Sequence, residues 1–577
     1  MNITIKIIRR AAPYKAVAFD VFDTLLKRDV VKPTDLFALC GEEFARARVQ
    51  AETEVRAAIH GEVTLAQIYA QPCMKAYDPA QECAMEMDAV VPNLPVLAAV
   101  RTLQAQGKRL YYISDMYLPP EQISAMLKKC GYELDGGFVS CSYGIQKRSG
   151  GLFRRFLRET GLKAGQVLFI GDSWRADVMG AALAGIPAWH LPVMEKKTEE
   201  TLESGAVRSF IENRISGDMT RAGKLGFSVL GPLEIGFCRW LHQRRLQHPE
   251  ARIFFLARDM YLTREIYGML YPEETTEYLQ VSRRSLCPVL LAEGNDSLLA
   301  AALPRQILTG QQIADYCGAL CPPEYSEKKF DLKKGTSADL RTLLNALQAN
   351  KNASLVLGYL QNAGIRQGDI LVDIGSGGTT QMLLEHLCSI KLYGLQLSGD
   401  ERLQERLSSD RVGVYLSLSQ KEALLYWAGQ PILERLISED IGSVSGYRKQ
   451  ETTFTVRRET QEPEKVIEEI QGGAKAFAHA WQASVLKNLV FSPKTAIHPF
   501  LQLMGNPTQE QLELMGPLTV EDGGTYTLAV PRPLHVYLCN PNAAVRDFRD
   551  ARWKIGFMKR LLRWPLPYER IYLAMKK

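Results

Sequence analysis

Short apolar runs alternate with segments of helical periodicity along the first 200 residues of the chain. Three of these runs predict strands, at 16–19, 109–113 and 167–170, and each ends beside a polar residue. Short strands that recur between helical segments are typical of a parallel, doubly wound α/β sheet. Because such sheets bind ligands at the carboxyl ends of their strands, the polar residues after these runs are the first candidates for a functional site.

The segment between the first two predicted strands, about 27–95, has a different pattern. Its apolar residues recur at three- and four-residue spacing, which predicts amphipathic helices. Thr34 and Thr64 stand just before two of these helical patterns, where N-caps are found. We therefore expect an all-helical insertion between the first strand and the second.

A second alternation of strands and helices follows beyond a polar run. The predicted segments are an α/β domain at 1–200, a linker helix at 201–220, a second, Rossmann-like α/β domain at 221–450 and a helical region at 451–577. Within the second domain, 252–262 echoes 109–118. Two explanations of this similarity are about equally good: a degenerate repeat of the first domain, or chance.

Composition narrows the class of protein. The net charge of +6 is small for 577 residues, so bulk binding of nucleic acid is not indicated. The eleven cysteines include no Cys-x-x-Cys pair, and no ordinary signal peptide or stretch of about 18 apolar residues is found. We expect a cytoplasmic protein. The basic and aromatic tail at 553–565 is read either as a packed terminal helix or as peripheral contact with the inner membrane face.

Candidate chemistry is concentrated in four polar stretches of the first domain. They are Asp20 to Thr24, Ser114 with Asp115, Lys147, and Asp172 with Asp177. In this order and spacing the stretches resemble the four motifs of the haloacid-dehalogenase (HAD) superfamily. Its members are mostly Mg²⁺-dependent phosphatases and phosphotransferases that act through an aspartyl nucleophile. The resemblance covers about the first third of the chain.

The resemblance implies a role for each residue. Asp20 would attack phosphorus and form an aspartyl phosphate, Lys147 would neutralise charge, and the segment at 27–95 would be a cap that sets substrate choice. The catalytic residues implied are Asp20, Asp23, Thr24, Ser114 and Lys147. The implied Mg²⁺ ligands are Asp20, the backbone carbonyl of Phe22, Asp172 and Asp177, an oxygen set suited to a hard cation. Ser114 and Asp115 would contact the substrate.

One position departs from the family pattern. Phosphatases of this superfamily carry an aspartate two residues after the nucleophile as general acid and base, and this chain has Phe22 there. Loss of a general acid typically lowers the rate by about 10²–10⁴-fold. The substrate could have a good leaving group, Asp23 or a cap residue could supply the proton, or the domain could bind phosphate with little turnover. Dehalogenases also lack that aspartate, but Asp172 argues against dehalogenation.

The second domain adds candidate substrate-binding residues. They are Arg258, Asp259, Arg283 and Arg284. Guanidinium groups present paired donors to phosphate, although salt bridges at a domain interface explain these residues equally well. The segments at 255–259 and 281–286 resemble sequences of a bacterial group of large predicted HAD hydrolases. The genes of that group are found among surface-polysaccharide and glycosyltransferase genes. That resemblance implies glycosyltransferases as partners.

Two rival functions remain open. The segments at 370–380 and 392–398 resemble the first two strands of an S-adenosylmethionine methyltransferase, although Gln396 stands where that family usually has an acid. A non-catalytic scaffold for glycosyltransferases is the other alternative. The function we expect is a Mg²⁺-dependent HAD-type phosphohydrolase or phosphotransferase in polysaccharide biosynthesis. Its substrate would be a small phosphorylated metabolite, either a sugar phosphate or a nucleotide-sugar-like compound.

Overall fold

The chain folds into two compact units. The computed structural model describes residues 3–59, 61–192, 201–304, 306–332, 337–349, 352–521 and 525–576. Unit 1 comprises residues 1–218 and 480–489, and unit 2 comprises residues 219–479 and 490–577. The architecture is α/β with 57% helix, which confirms the predicted fold class. The domain limits predicted from the sequence stay predictions.

Unit 1 contains seven strands and ten α-helices among its described residues before 219. The strands are β1 (Ala16–Phe19), β2 (Leu26–Arg28), β3 (Val90–Pro92), β4 (Arg109–Ser114), β5 (Gly136–Val139), β6 (Val167–Gly171) and β7 (Ala188–His190). The helices are α1 (Ile3–Ala11), α2 (Pro33–Leu39), α3 (Glu42–Ala58), α4 (Leu65–Tyr69), α5 (Pro79–Ala89), α6 (Leu94–Ala105), α7 (Pro120–Lys129), α8 (Gly151–Thr160), α9 (Gly180–Ala182) and α10 (Leu202–Arg214).

The central sheet of unit 1 is parallel, in the order β5-β4-β1-β6-β7. Alternate residues of β1 pack into two different hydrophobic clusters. Val17 and Phe19 lie in one buried cluster, and Ala16 and Ala18 lie in the other. Both faces of the sheet are therefore covered, which explains why its strands read as continuous apolar runs. The carboxyl ends of β4, β1 and β6 lie side by side.

The helical insertion is bounded by a short antiparallel pair of strands. β2 pairs with β3, so that Leu26 lies opposite Pro92, and α2 to α5 lie between these two strands in the sequence. Thr64 is the N-cap of α4, as predicted, and its side chain accepts from the backbone N–H of Gln67. The prediction for Thr34 is wrong, because Pro33 already occupies the first turn of α2.

Unit 2 is larger. Its strands are β8 (Ile253–Leu256), β9 (Thr276–Leu279), β10 (Ile307–Thr309), β11 (Ala319–Leu320), β12 (Lys329–Asp331), β13 (Gln348–Ala349), β14 (Ile370–Ser376), β15 (Tyr393–Gly399), β16 (Val412–Val414), β17 (Val444–Gln450), β18 (Thr453–Arg458), β19 (Thr519–Glu521) and β20 (Thr525–Thr527). The helices up to the middle of the unit are α11 (Arg221–Leu225), α12 (Gly231–Leu246), α13 (Tyr261–Leu270), α14 (Arg283–Ala292), α15 (Asp296–Ala302), α16 (Gly310–Cys317), α17 (Ala338–Ala346), α18 (Asn352–Ala363), α19 (Thr379–Cys388) and α20 (Glu401–Arg406). The later helices are α21 (Gln420–Ile437), α22 (Lys465–Gln482), α23 (Pro493–Gly505), α24 (Gln509–Met515), α25 (Leu534–Cys539), α26 (Pro541–Asp550), α27 (Lys554–Leu562) and α28 (Tyr568–Met575).

The main sheet of unit 2 is also parallel, in the order β16-β15-β14-β8-β9. Here β8 pairs directly with β14. In unit 1, β4, which β8 echoes, is separated from β6 by β1. The sequence at β6, 165–173, has a looser counterpart at β14, in 368–376. Unit 2 therefore has no strand in the position that β1 takes in unit 1, within the main sheet as described.

The C-terminal tail packs within unit 2. Trp553, Ile555 and Phe557 are buried, and the indole N–H of Trp553 donates to the carbonyl of Met504 at 3.1 Å. Trp564, in contrast, is 67% exposed. No helix among the described residues is both long enough and apolar enough to span a bilayer. Peripheral membrane contact through the tail stays a prediction.

Candidate active site

The carboxyl ends of β1, β4 and β6 place the predicted polar residues at one edge of the sheet. Asp20 follows β1 directly, Ser114 is the last residue of β4, and Asp172 follows β6. The backbone N–H of Asp20 donates to the carbonyl of Ile170 at 2.9 Å, which ties the turn after β1 to β6. Sheet order therefore brings together residues that are more than 50 positions apart in the sequence.

A buried lysine joins two of the aspartates. The ammonium Nζ of Lys147 lies 2.5 Å from Oδ1 of Asp20 and 2.6 Å from Oδ1 of Asp177. All three side chains are at most 11% exposed. Burial by itself would lower the pKa of Lys147, but attraction to Asp20 and Asp177 outweighs it and raises that pKa. Lys147 is therefore a permanent cation beside Asp20.

Three carboxylates form a compact group with an excess of negative charge. Asp20, Asp172 and Asp177 each offer an oxygen, and these oxygens all lie within 4.8 Å of one another. Burial raises the pKa of Asp20 well above its usual value, and repulsion from Asp177 and Asp172 adds to the rise although Lys147 opposes it. A divalent cation would relieve this repulsion, and an all-oxygen donor set fits Mg²⁺. The residues present thus fit the implied metal.

The remaining predicted residues of unit 1 surround this group. The hydroxyl of Thr24 donates to Oδ1 of Asp172 at 3.3 Å, and Ser114 is only 1% exposed. The backbone N–H of Lys147 donates to Oδ1 of Asp115 at 2.8 Å. Asp115 therefore positions the loop that carries Lys147. The roles assigned to these residues stay predictions.

The segment after Asp20 leaves the strand geometry at once. β1 ends at Phe19, and Asp23 has a left-handed backbone with φ of 60°. An extended strand would have turned Asp23 away from the cleft, but the turn changes its direction. Burial and then the Asp23 charge raise the pKa of Asp172.

Two residues that sequence reasoning missed lie beside Phe22. The guanidinium of Arg28 stacks 3.9 Å from the centroid of the Phe22 ring and pairs with Glu86 of α5 at 2.9 Å. Both Arg28 and Glu86 are buried. The local sequence signal at this pair is that two of the three residues of β2, Lys27 and Arg28, are charged. The position of the missing general acid is therefore filled by an aromatic ring under a paired arginine.

We expect Gly171→Ala to disturb the acidic group. A Cβ at Gly171 would lie 2.4 Å from Oδ2 of Asp177 and 2.8 Å from its Cβ, so the whole Asp177 side chain would have to move. Because Asp177 is one of the three candidate ligands, Mn²⁺ binding measured by calorimetry should weaken about 10–100-fold. Gly165→Ala is the matched control, since nothing lies within 4 Å of the added carbon. Equal affinity in the two variants would exclude Asp177 from the metal site.

The candidate residues of the second half belong to unit 2. Arg258 and Asp259 follow β8, and their side chains approach to 3.3 Å. Arg283 begins α14, is exposed, and interacts electrostatically with Asp373 and Glu434. Arg284 instead pairs with Glu459 and donates to the carbonyl of Asp315. Unit 2 therefore brings three of the four predicted residues to one group of charges and uses Arg284 in a separate ion pair.

A comparison with known protein families gives a match within the first third of the chain. Residues 14–185 match the haloacid dehalogenase-like hydrolase family. The search of curated proteins gave no match. The matched range contains β1, β4 and β6 and all residues of the acidic group.

Solved structures match about a third of the chain. A HAD-hydrolase from Bacillus subtilis bound to magnesium is 20% identical, with 31% of this chain and 88% of that chain covered and a TM-score of 0.25. A HAD family enzyme from Bacteroides thetaiotaomicron in complex with magnesium and inorganic phosphate is 15% identical, with 32% and 98% covered and a TM-score of 0.26. An L-2-haloacid dehalogenase is 15% identical, with 33% and 88% covered and a TM-score of 0.26.

Proposed function

We propose that this chain, whose residues 14–185 form a HAD-like hydrolase domain, is a Mg²⁺-dependent phosphohydrolase or phosphotransferase. Its substrate would be a small phosphorylated metabolite, either a sugar phosphate or a nucleotide-sugar-like compound. One observation carries the proposal: Asp20 lies 2.5 Å from the buried Lys147 cation and within a group of three carboxylates that fits a divalent cation.

The proposed mechanism begins at Asp20. One of its carboxylate oxygens attacks phosphorus, the bond from phosphorus to the leaving oxygen breaks, and an aspartyl phosphate forms. Water then attacks that phosphate and restores the Asp20 carboxylate. A bound Mg²⁺ would supply charge neutralisation between nucleophile and phosphate, with Asp20, Asp172 and Asp177 as its side-chain ligands.

Other side chains would stabilise the transferring phosphoryl group. Lys147 holds a fixed positive charge beside Asp20, and it is kept in place by a second carboxylate, Asp177. Ser114 and Thr24 would donate hydrogen bonds to phosphoryl oxygens, since preorganised donors act strongly in a buried site. The backbone carbonyl of Phe22 would complete the metal ligands.

The experiment is a phosphate-release assay on a panel of sugar phosphates, nucleotide sugars and acyl phosphates. We expect release in the presence of Mg²⁺ and its loss, by at least about 10²-fold, when the ion is removed with a chelator and restored by excess Mg²⁺. Unchanged release in chelator would contradict the metal-dependent mechanism. If no compound of the panel releases phosphate, the result would favour a non-catalytic scaffold.

A second candidate function rests on Phe22. A phenyl ring cannot protonate a leaving group, so the domain could bind phosphorylated ligands without much turnover. The protein would then serve as a scaffold for glycosyltransferases in polysaccharide biosynthesis. Support for that context comes from the resemblance of residues 255–259 and 281–286 to large HAD proteins of surface-polysaccharide gene clusters.

Leaving-group dependence tests the consequence of Phe22 for catalysis. If no residue protonates the leaving oxygen, we expect acyl phosphates and nitrophenyl phosphate to react faster than alkyl phosphates by about 10²–10⁴-fold in kcat/KM. Asp23→Asn is the informative variant, because Asp23 is the acid that directly follows Phe22 in the sequence. An unchanged ratio in Asp23→Asn excludes Asp23 as the proton donor, whereas an alkyl phosphate rate that falls selectively assigns it that role.

A further inference from the structure

The main sheet of unit 2 has a topological switch point. From β8 the chain adds β9 on one side, and it later adds β14, β15 and β16 in succession on the other side. The connections after β8 and β14 therefore diverge and leave a crevice at the carboxyl ends of these two strands. Crevices of this kind are the usual ligand sites of open parallel sheets.

The β14 side of the crevice is a glycine loop, Gly375 to Gly378, that leads into α19. A Cβ at Gly375 would lie 1.8 Å from the carbonyl oxygen of Ser398, so the turn requires glycine. The N-cap of α19 is Gly378, which has no side chain to accept from the N–H groups of the first turn. These donors, together with the positive end of a ten-residue helix, favour an anion.

Two arginines of α20 flank this loop. Arg406 donates to the carbonyl of Gly377 at 2.9 Å and to the hydroxyl of Thr379 at 2.6 Å. Nε of Arg402 lies 3.3 Å from the position of a Cβ on Gly377. Arg402 is itself paired with Asp400. The loop therefore lies next to the Arg406 guanidinium and this ion pair, and a guanidinium at the loop suits a phosphate rather than a neutral ligand.

The β8 side of the crevice is rich in acceptors. Asp259 and Glu434 both lie near Arg258, whose guanidinium is 3.3 Å from the first and 3.5 Å from the second. Glu434 retains 34% of its side-chain exposure although burial raises its pKa to about 8, as expected for a group that lines a concave surface. Burial and the Asp259 charge likewise raise the pKa of Asp373 to about 6.

Glu434, one of these carboxylates, lines a cavity. It has a volume of about 350 Å³, and Arg258, Glu434, Ser438 and Glu439 form part of its lining. This is within the range of small-molecule sites, at about 300–1,000 Å³. Carboxylates that converge on a cavity accept hydrogen bonds from hydroxyl groups. The cavity is therefore suited to a polyhydroxylated group.

A buried acceptor without a partner points into the glycine loop. Gln396 on β15 is 1% exposed, and its Oε1 has no hydrogen-bond donor within the described part of the chain. That oxygen lies 3.1 Å from the position of a Cβ on Gly375. An unpaired buried amide oxygen costs free energy, so a ligand hydroxyl or N–H that reached it would be bound favourably.

We propose that the crevice between β8 and β14 binds a sugar phosphate, either free or as part of a nucleotide sugar. The phosphate would lie at the glycine loop and the N-terminus of α19. One hydroxyl of the attached sugar would donate to Oε1 of Gln396, and the other hydroxyls would contact Asp259, Asp373 and Glu434. This site is in unit 2 and goes beyond the hydrolase function proposed for unit 1.

The test is calorimetric titration of the full-length Asp20→Asn protein, which removes turnover in unit 1. The probes are glucose 1-phosphate, UDP-glucose, inorganic phosphate and S-adenosylmethionine. We expect saturable binding of at least one of the two sugar probes. Gln396→Leu, which keeps the side-chain volume but removes the acceptor, should weaken that binding at least about 10-fold. Gln361→Leu, on an exposed face of α18, is the matched control and should leave the affinity unchanged.

A second variant, Arg283→Gln, keeps the test valid if Gln396→Leu does not fold. Arg283 is exposed and forms no ion pair within the described residues, so Arg283→Gln should fold normally and still weaken binding several-fold. The proposal is overturned if neither sugar probe binds, or if the two variants bind as the control does. Binding of S-adenosylmethionine alone would also overturn it and favour a nucleoside site. Because Asp20 is already replaced, these outcomes do not depend on hydrolysis in unit 1. Because unit 1 is proposed to bind similar ligands, only the binding that Gln396→Leu or Arg283→Gln weakens is assigned to unit 2.

Discussion

Asp20→Asn is expected to abolish phosphate release, with a loss of about 10⁴-fold or more in kcat. An amide cannot form the acyl phosphate by the same attack, and it also removes one of the three carboxylate ligands proposed for Mg²⁺. The substitution keeps the size of the side chain, and Lys147 retains its contact with Asp177. The fold of unit 1 should therefore survive.

The measurement has two parts. Phosphate release from the best substrate of the panel gives the rate, and mass spectrometry after rapid mixing with an acyl phosphate detects a phosphoryl adduct on Asp20 in the wild-type protein only. Asp88→Asn is the matched control, because Asp88 is 72% exposed and lies on α5 of the helical insertion rather than at the sheet edge. Wild-type activity in Asp20→Asn would place the chemistry elsewhere.

Arg48→Met is expected to destabilise the helical insertion by about 3–5 kcal/mol, because it leaves a buried charge unpaired. Arg48 is fully buried on α3 and binds Glu82 of α5 through two hydrogen bonds, of 2.7 and 3.0 Å. A third hydrogen bond, of 2.9 Å, joins it to Glu52. Because the Glu82 side chain is 0% exposed, the loss of Arg48 would leave its charge without compensation.

Hydrogen exchange of peptides from α3 and α5 measures this local stability without requiring a two-state transition of the whole chain. Arg48→Met combined with Glu82→Leu should recover most of the loss, because removing both charges avoids the desolvation penalty. Arg155→Met is the control: the Arg155 side chain, which is 40% exposed, pairs with Glu159 on α8, and its loss should change stability by less than about 1 kcal/mol. Equal effects in the two single variants would mean that Arg48 and Glu82 are not a coupled buried pair.

Sequence patterns predicted the strands that carry the site with good accuracy. The runs at 16–19, 109–113 and 167–170 became β1, β4 and β6, and each ended within one residue of the prediction. This succeeded because a strand covered on both faces must be continuously apolar, and that requirement is local. The N-cap prediction failed at Thr34 because α2 begins one residue earlier, at Pro33, which makes Lys32 the N-cap.

Other features had no sequence signal strong enough to predict them. The pair of Arg28 with Glu86 beside Phe22 joins residues 58 positions apart. The unpaired oxygen of Gln396 likewise depends on which atoms the neighbouring strand and helix bring near. Neither feature follows from the spacing of apolar residues along one segment.

The sequence by itself determined the fold class of the chain and the set of polar residues that follow its strands. The reason is that the order of apolar and polar residues within one segment indicates both its secondary structure and its burial. Only the tertiary structure decided which of these residues meet. Lys147 reaches Asp20 across 127 positions and Asp177 across 30. β8 pairs with β14 across more than 100 residues. Such contacts are set by strand order and register, and these depend on the packing of the whole unit rather than on the pattern of any one segment.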